Sequence, residues 1–123
     1  MPFPWRKTCD VVGVVECFQV FDVKKILDAY SAIKRAEYLA SIYNFLESET
    51  YLSSAKSLMN QLANDFPEHK EVIDEILDNI NDAILAARSR DSTGVKFNVD
   101  TISKSLKKLL VDRVEYCLSR WCK

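Results

Sequence analysis

The chain has 123 residues, of which 48% are hydrophobic and 28% are charged, and its formal net charge is −1. These values are typical of a soluble globular protein and exclude a disordered chain. At this length we expect one domain whose core is large enough to fold without cross-links. No apolar run reaches the ~18 residues of a membrane span, and the first residues do not match a signal peptide, so we expect a cytoplasmic protein without a membrane partner.

Glycine and proline are scarce, since the chain contains only two glycines and three prolines. These residues mark turns and loops, so their scarcity predicts long helices with short connections. Apolar residues recur with the helical period of 3.6, and short connections make consecutive helices antiparallel neighbours. We predict a single all-α domain over residues 1–123, an up-down helical bundle of four to five helices at about 8–20, 22–47, 50–65, 67–88 and 99–122. The only long loop is expected at residues 89–98.

The first predicted helix is apolar on nearly all sides. One face carries Val11 and Val15, and Val12 and Val20 lie on the other side. Such a helix is either central in a core or shared with a second chain. Because a small fold has difficulty surrounding a central helix, we expect a homodimer or another protein partner to contact Val12 and Val20, with Trp5 adding to the contact. The alternative is a helix covered by the bundle and the N-terminal tail.

Charge is distributed unevenly along the chain. Residues 64–82 hold seven acids and one base, whereas residues 88–123 hold nine bases and four acids. One interpretation is that the fourth and fifth helices attract each other as neighbours, with surface pairs worth ~0–1 kcal/mol each. The other is a polyanion partner, since non-specific nucleic-acid binding depends on basic patches. The candidate polyanion-binding residues are Arg88, Arg90, Lys96, Lys104, Lys107 and Lys108.

Four cysteines lie in two clusters at the chain ends, namely Cys9 with Cys17 and Cys117 with Cys122. The first interpretation is free thiols in a reducing cytoplasm. A disulfide between the first and last helices and a zinc site are the alternatives, although the spacings are not those of tight zinc knuckles. From the helical wheel we expect Cys117 to be buried and Cys122 to be accessible.

Two arginines, Arg113 and Arg120, lie seven residues apart on the apolar side of the fifth helix. An arginine there either extends its stem along the apolar surface to reach water or pairs with an acid. The candidate acids on the first two helices are Asp10, Glu16 and Asp28. A third hypothesis is that both arginines and Trp121 rim a groove for an anionic partner segment, because Arg and Trp are enriched in binding hot spots.

Signatures of catalysis are missing from the sequence. The single histidine, His69, stands among charged residues, and we expect it on a solvated face. There is no glycine-rich phosphate loop and no paired metal-ligand motif. We therefore expect no enzyme, no metal, no cofactor and no small-molecule substrate. The hypothesis is a non-enzymatic protein–protein interaction module (an adaptor, an inhibitor or a small subunit of a complex) that self-associates, and the alternative is an accessory nucleic-acid-binding subunit.

Overall fold

The computed structural model describes residues 8–123, which form five α-helices and one 3-10 turn. The helices pack against one another, so the predicted all-α bundle is confirmed. Their bounds are α1 Val11–Gln19, α2 Val23–Ser41, α3 Phe45–Asp65, α4 Lys70–Arg88 and α5 Ser92–Trp121, with the 3-10 turn at Pro67–His69 between α3 and α4.

Four of the five helices begin at an aspartate or asparagine whose side chain accepts a hydrogen bond from a backbone N–H three residues later. This cap satisfies one of the free N–H groups at a helix start. The capping residues are Asp10, Asp22, Asn44 and Asp91, which accept from the N–H groups of Gly13, Lys25, Glu47 and Gly94.

Helices α2 to α5 form the bundle, with sequential neighbours antiparallel and α5 also packed against α2. Each helix turns one apolar face inward, as the helical period of the sequence predicts. The polar side chain of Ser48 lies fully inside the core. Its hydroxyl donates a hydrogen bond to the Ala36 carbonyl at 2.8 Å, and this bond fixes α3 against α2. The largest fully buried side chains are Phe21, Ile26, Ile33, Leu52, Met59, Leu62, Ile73, Ile76, Ile80, Ile102 and Leu109.

Helix α5 is the longest element, with 30 residues against 19 to 21 in α2, α3 and α4. At 1.5 Å per residue it is about 45 Å long, roughly 15 Å longer than the helices beside it. Helix α1 packs along the C-terminal half of α5. The molecule therefore combines a four-helix bundle with a two-helix unit, which we call the α1–α5 pair.

Three predicted boundaries differ from the structure by five to seven residues, and the starts of the first and fourth helices differ by three. The second helix ends at Ser41 rather than near 47, and the third begins at Phe45 rather than at 50, because Asn44 supplies the cap between them. The predicted loop at 89–98 is mostly helix. Asp91 caps α5 and Gly94 lies inside its first turn, so α5 begins at Ser92 rather than near 99. Within residues 8–123, no helix has the length and apolar character that crossing a membrane requires.

Candidate interaction surface

Two disulfide bonds join the start of the described chain to its end. Cys17 of α1 is bonded to Cys117 of α5, and Cys9 is bonded to Cys122. The first interpretation of these cysteines as free thiols is thus wrong, and the pairing of the first and last helices is the observed one. Cys117 is buried as expected, but Cys122 is buried as well. It lies beyond the end of α5 in extended backbone, so the helical wheel does not describe its direction.

Backbone hydrogen bonds reinforce the same junction. Thr8 and Lys123 exchange two N–H···O bonds of 2.7 and 2.8 Å, and the N–H of Asp10 donates to the Trp121 carbonyl at 2.8 Å. Gly13 allows the close approach of the two helices, since a Cβ at this position would lie 2.6 Å from Cδ2 of Trp121. Together these contacts hold α1 in one position on α5.

The buried Arg113 lies at the base of the α1–α5 pair. Its side chain is only 4% exposed. One terminal nitrogen, Nη1, donates to Oε1 of Glu68 at 2.8 Å, and the other, Nη2, donates to the backbone carbonyl of Cys17 at 2.8 Å. Arg113 therefore joins three elements, namely α5, α1 and the 3-10 turn. The predicted acids on the first two helices are not its partners.

Aromatic rings surround the Arg113 guanidinium. Its Cζ lies 5.0 Å from the ring centroid of Phe21, 5.2 Å from that of Phe66 and 4.8 Å from that of Tyr116. Ring faces attract a cation, and the attraction is stronger where water is excluded. The charge of Arg113 is thus compensated by one carboxylate and three rings, which explains how this fold keeps an arginine buried.

The single histidine belongs to the same cluster, so its predicted place on a solvated face is wrong. His69 is 6% exposed, and its ring packs edge-on against Phe21 and Tyr116. His69 is the last residue of the 3-10 turn. Its side chain therefore does not continue the polar face of α4, on which the sequence prediction placed it. Burial, with a further contribution from the Arg113 charge, lowers the pKa of His69 below its ordinary value of 6.5. Nε2 lies 3.4 Å from Nη1 of Arg113, and a neutral imidazole can accept a hydrogen bond there.

The half of α1 that faces away from α5 is exposed and apolar. Gly13 and Cys17 turn toward α5, whereas Val12 and Val20 are each 66% exposed. The C-terminal part of α5 also carries exposed apolar side chains next to its buried face. We use the name outer face for these exposed apolar side chains of the two helices, which on α1 lie on both sides of the helix; its members are Val11, Val12, Val15, Val20, Val111, Val114, Leu118 and Trp121.

The predicted interaction residues separate into three groups. Val12, Val20 and Trp121 belong to the outer face, and Arg120 is exposed beside Trp121. Arg113 is buried and helps to hold α1 against α5 and the 3-10 turn. Trp5 lies outside the described residues. A groove of about 540 Å³ has Arg120 and Trp121 among its lining residues, but Arg113 does not line it, so the predicted three-residue rim is not formed.

The six candidate polyanion-binding residues are all exposed. They do not form one compact patch. Arg88 and Arg90 lie at the end of the bundle opposite the disulfides, and the four lysines follow along the outward side of α5. Arg88 is paired with Glu49 of α3 at 2.7 Å. The predicted attraction between the fourth and fifth helices takes the form of one direct ion pair among residues 8–123. Glu68, in the 3-10 turn where the fourth helix was expected to begin, pairs with Arg113 of α5.

Within the same residues, no group of three or more potential metal ligands is found. No family model matches the chain, and no curated protein and no solved structure matches it.

Two residues that contact Arg113, Glu68 and His69, were not identified from the sequence. Both follow Pro67, which starts the 3-10 turn. A proline at the start of a new helical segment changes the direction of the chain, and this was the one available signal that their side chains leave the face of α4.

Proposed function

We propose that this chain is a non-enzymatic protein–protein interaction module that self-associates through the outer face of the α1–α5 pair. The observation that carries the proposal is an exposed apolar face on a rigidly held helix. Large exposed apolar patches on a folded protein are a usual mark of an interaction site, and the outer face of the α1–α5 pair carries eight exposed apolar side chains.

The rigidity of α1 supports this proposal. Helix α1 has nine residues, four of them valine and one glycine, which is too short and too poor in helix formers to persist alone. Yet two disulfides, three backbone hydrogen bonds and Arg113 fix it in place. A surface fixed before binding loses little conformational entropy when a partner arrives.

A second copy of the chain is the partner that the composition of this face favours. The outer face is mostly aliphatic, with Glu16 and Gln19 as its polar members on α1. Homodimer interfaces are more apolar than other protein interfaces. The face extends over only about 15 Å of α1 and the adjacent part of α5. We expect it to bury less area than the roughly 800 Å² per partner of a standard interface. We therefore expect a weak dimer that forms at micromolar concentration or above.

Sedimentation equilibrium from ten to several hundred micromolar tests the proposal. The wild type is expected to show a monomer–dimer equilibrium, and the double variant Val12→Glu/Val20→Glu is expected to be monomeric with an unchanged circular-dichroism spectrum. Leu27→Glu is the matched control, because Leu27 is a similarly exposed apolar residue on α2. A wild type that stays monomeric over the whole range contradicts self-association. A dimer that persists in the double variant places the interface elsewhere.

The disulfides also bear on the compartment. Structural disulfides persist in oxidising compartments and are rare in the cytoplasm. We therefore propose an oxidising compartment in place of the expected cytoplasmic location. Cell fractionation followed by thiol labelling tests this proposal, and a reduced protein recovered from the cytoplasm contradicts it.

An accessory nucleic-acid-binding role is the alternative proposal, and it depends on Lys96, Lys104, Lys107 and Lys108, which are exposed and have no acidic partner within residues 8–123. The acids on the outward side of the adjacent α4 weaken it. Salt-sensitive retention on heparin and on a DNA column, lost in Lys104→Gln/Lys107→Gln, supports this alternative, and no retention at low salt contradicts it.

A further inference from the structure

A cleft lies at the end of the bundle opposite the disulfides. The α2–α3 and α4–α5 connections border it, and its open volume is about 600 Å³. Neither α1 nor the outer face contributes to it. Its lining residues are Tyr43, Asn44, Phe45, Leu46, Glu49, Ala87, Arg88 and Arg90.

Two lining residues have left-handed backbone although neither is glycine. Tyr43 has φ 63° and Arg90 has φ 56°, and they are the only non-glycine residues with positive φ among residues 8–123. Each follows the end of a helix, where the N–H groups of Asn44 and Asp91 donate back to carbonyls of α2 and α4 at 2.8 Å. Glycine is the usual residue at this position, since a bulky side chain is strained there.

The core does not compensate this strain. Tyr43 is 77% exposed and Arg90 is exposed, so neither side chain is buried in the bundle. The hydrogen bonds that Asn44 and Asp91 donate back to the helices account for the left-handed backbone, which is a common helix cap. Both left-handed residues of the described chain line one cleft, and their exposed side chains are accessible to a ligand there.

The charges of the cleft are arranged asymmetrically. Arg88 Nε donates to Oε1 of Glu49 at 2.7 Å, so this pair crosses the cleft from α4 to α3 and neutralises itself. Arg90 has no carboxylate within ion-pair distance among the described residues. The cleft thus presents one uncompensated guanidinium.

The apolar part of the cleft lies on the α2–α3 side. The ring of Tyr43 packs edge-on against that of Phe45 at 6.1 Å between centroids. Leu46, at 79%, is the most exposed large hydrophobic residue of the described chain. An apolar group held here would lie near the free charge of Arg90.

We propose that this cleft binds a short segment of a partner protein in which an acidic side chain is adjacent to an apolar one. The carboxylate pairs with Arg90, and the apolar side chain packs against Tyr43 and Leu46. Arginine and tyrosine are the residues that most often dominate such contacts. A nucleic acid fits less well, because the cleft offers a run of phosphates only one uncompensated cation, Arg90, with the carboxylate of Asp91 adjacent in the chain.

The test is a titration of the ¹⁵N-labelled protein, followed by NMR, with the peptide acetyl-Leu-Glu-Leu-amide and its glutamine isostere acetyl-Leu-Gln-Leu-amide. The acidic peptide is expected to shift the amides of residues 43–46 and 88–90, and the isostere to bind about tenfold more weakly, which corresponds to one charge-assisted hydrogen bond. Amides of α1 are expected to stay unshifted, so the result is independent of self-association.

The variant Arg90→Gly separates the two roles of this position. Glycine removes both the strain and the charge, so the variant is expected to unfold at higher denaturant concentration and to bind the acidic peptide about tenfold more weakly. Arg90→Lys keeps the charge and should retain binding, and Lys107→Gln is the matched control for loss of a distant base. Unchanged binding by Arg90→Gly overturns the proposal. So does a ten-nucleotide thymidine strand that shifts these amides at lower concentration than the peptide.

Discussion

Nη1 of Arg113 lies 2.8 Å from Oε1 of Glu68, and this ion pair joins α5 to the 3-10 turn that precedes α4. The same guanidinium also binds the backbone of Cys17 in α1. Arg113 thus connects the bundle to the helix that carries the proposed interaction face, and its removal should affect both.

Replacing Arg113 with alanine should therefore destabilise the protein strongly. The change leaves Glu68 and the Cys17 carbonyl without their donor and removes the cation from three rings. Loss of one member of a buried pair costs about 3–5 kcal/mol, and we expect about 3 kcal/mol here because the Glu68 side chain keeps 29% of its surface exposed. Urea denaturation measures the change. Arg120→Ala, one heptad away and exposed, is the control and should lie within about 0.5 kcal/mol of wild type.

The buried imidazole makes stability depend on pH. Because the pKa of His69 is lowered in the folded state, the native protein favours neutral imidazole, whereas the unfolded chain takes up a proton near pH 6.5. The contribution is fully present above that pH, decreases as the pH falls below it, and levels off below the folded pKa. Denaturation of wild type and His69→Gln at a series of pH values measures this. The wild type should lose more stability than the variant on acidification, and parallel curves contradict the account.

The two disulfides should not contribute independently. Either bond alone closes a loop of about 100 residues, worth ~4.7 kcal/mol in the chain-entropy description. Once one bond is present, the other closes a ring of only about 15 residues (9–17 and 117–122), worth ~3 kcal/mol. We expect Cys9→Ser/Cys122→Ser and Cys17→Ser/Cys117→Ser each to lose about 3 kcal/mol, and the quadruple variant to lose more than the sum of both. Additive losses contradict this.

Gly13 should be intolerant of a side chain despite lying in a helix. Alanine normally stabilises a helix by about 1 kcal/mol relative to glycine. Here the new Cβ lies within contact distance of the Trp121 ring, which must move toward solvent. In a Trp5→Phe background, Gly13→Ala should shift the tryptophan emission to longer wavelength and weaken self-association. An unchanged emission maximum contradicts the packing described here.

The fold was predictable because apolar residues of α2 to α5 follow the helical period, and α4 shows this most clearly through Ile73, Ile76, Ile80 and Ile84. The start of α5 was not predictable from the sequence, because Gly94 and its polar neighbours have the composition of a loop. Their helix depends on the Asp91 cap and on the burial of Val95 and Val99 against the bundle.

The candidate surface was predictable only in part. The apolar character of α1 identified Val12 and Val20 as interaction candidates, and the structure places both at the surface. The environment of Arg113 was not predictable, because its acid and the buried histidine stand 45 and 44 residues away, respectively, in a segment rich in charge. Only the tertiary fold brings them together.

The most direct test of the proposed self-association is an isotope-filtered NOE measurement on an equimolar mixture of ¹³C-labelled and unlabelled protein at several hundred micromolar. Contacts between labelled and unlabelled chains arise only across an interface. We predict such contacts from the methyl groups of Val12 and Val20, and none from Leu46 at the opposite end. Inter-chain contacts confined to other methyl groups, or none at this concentration, contradict the account.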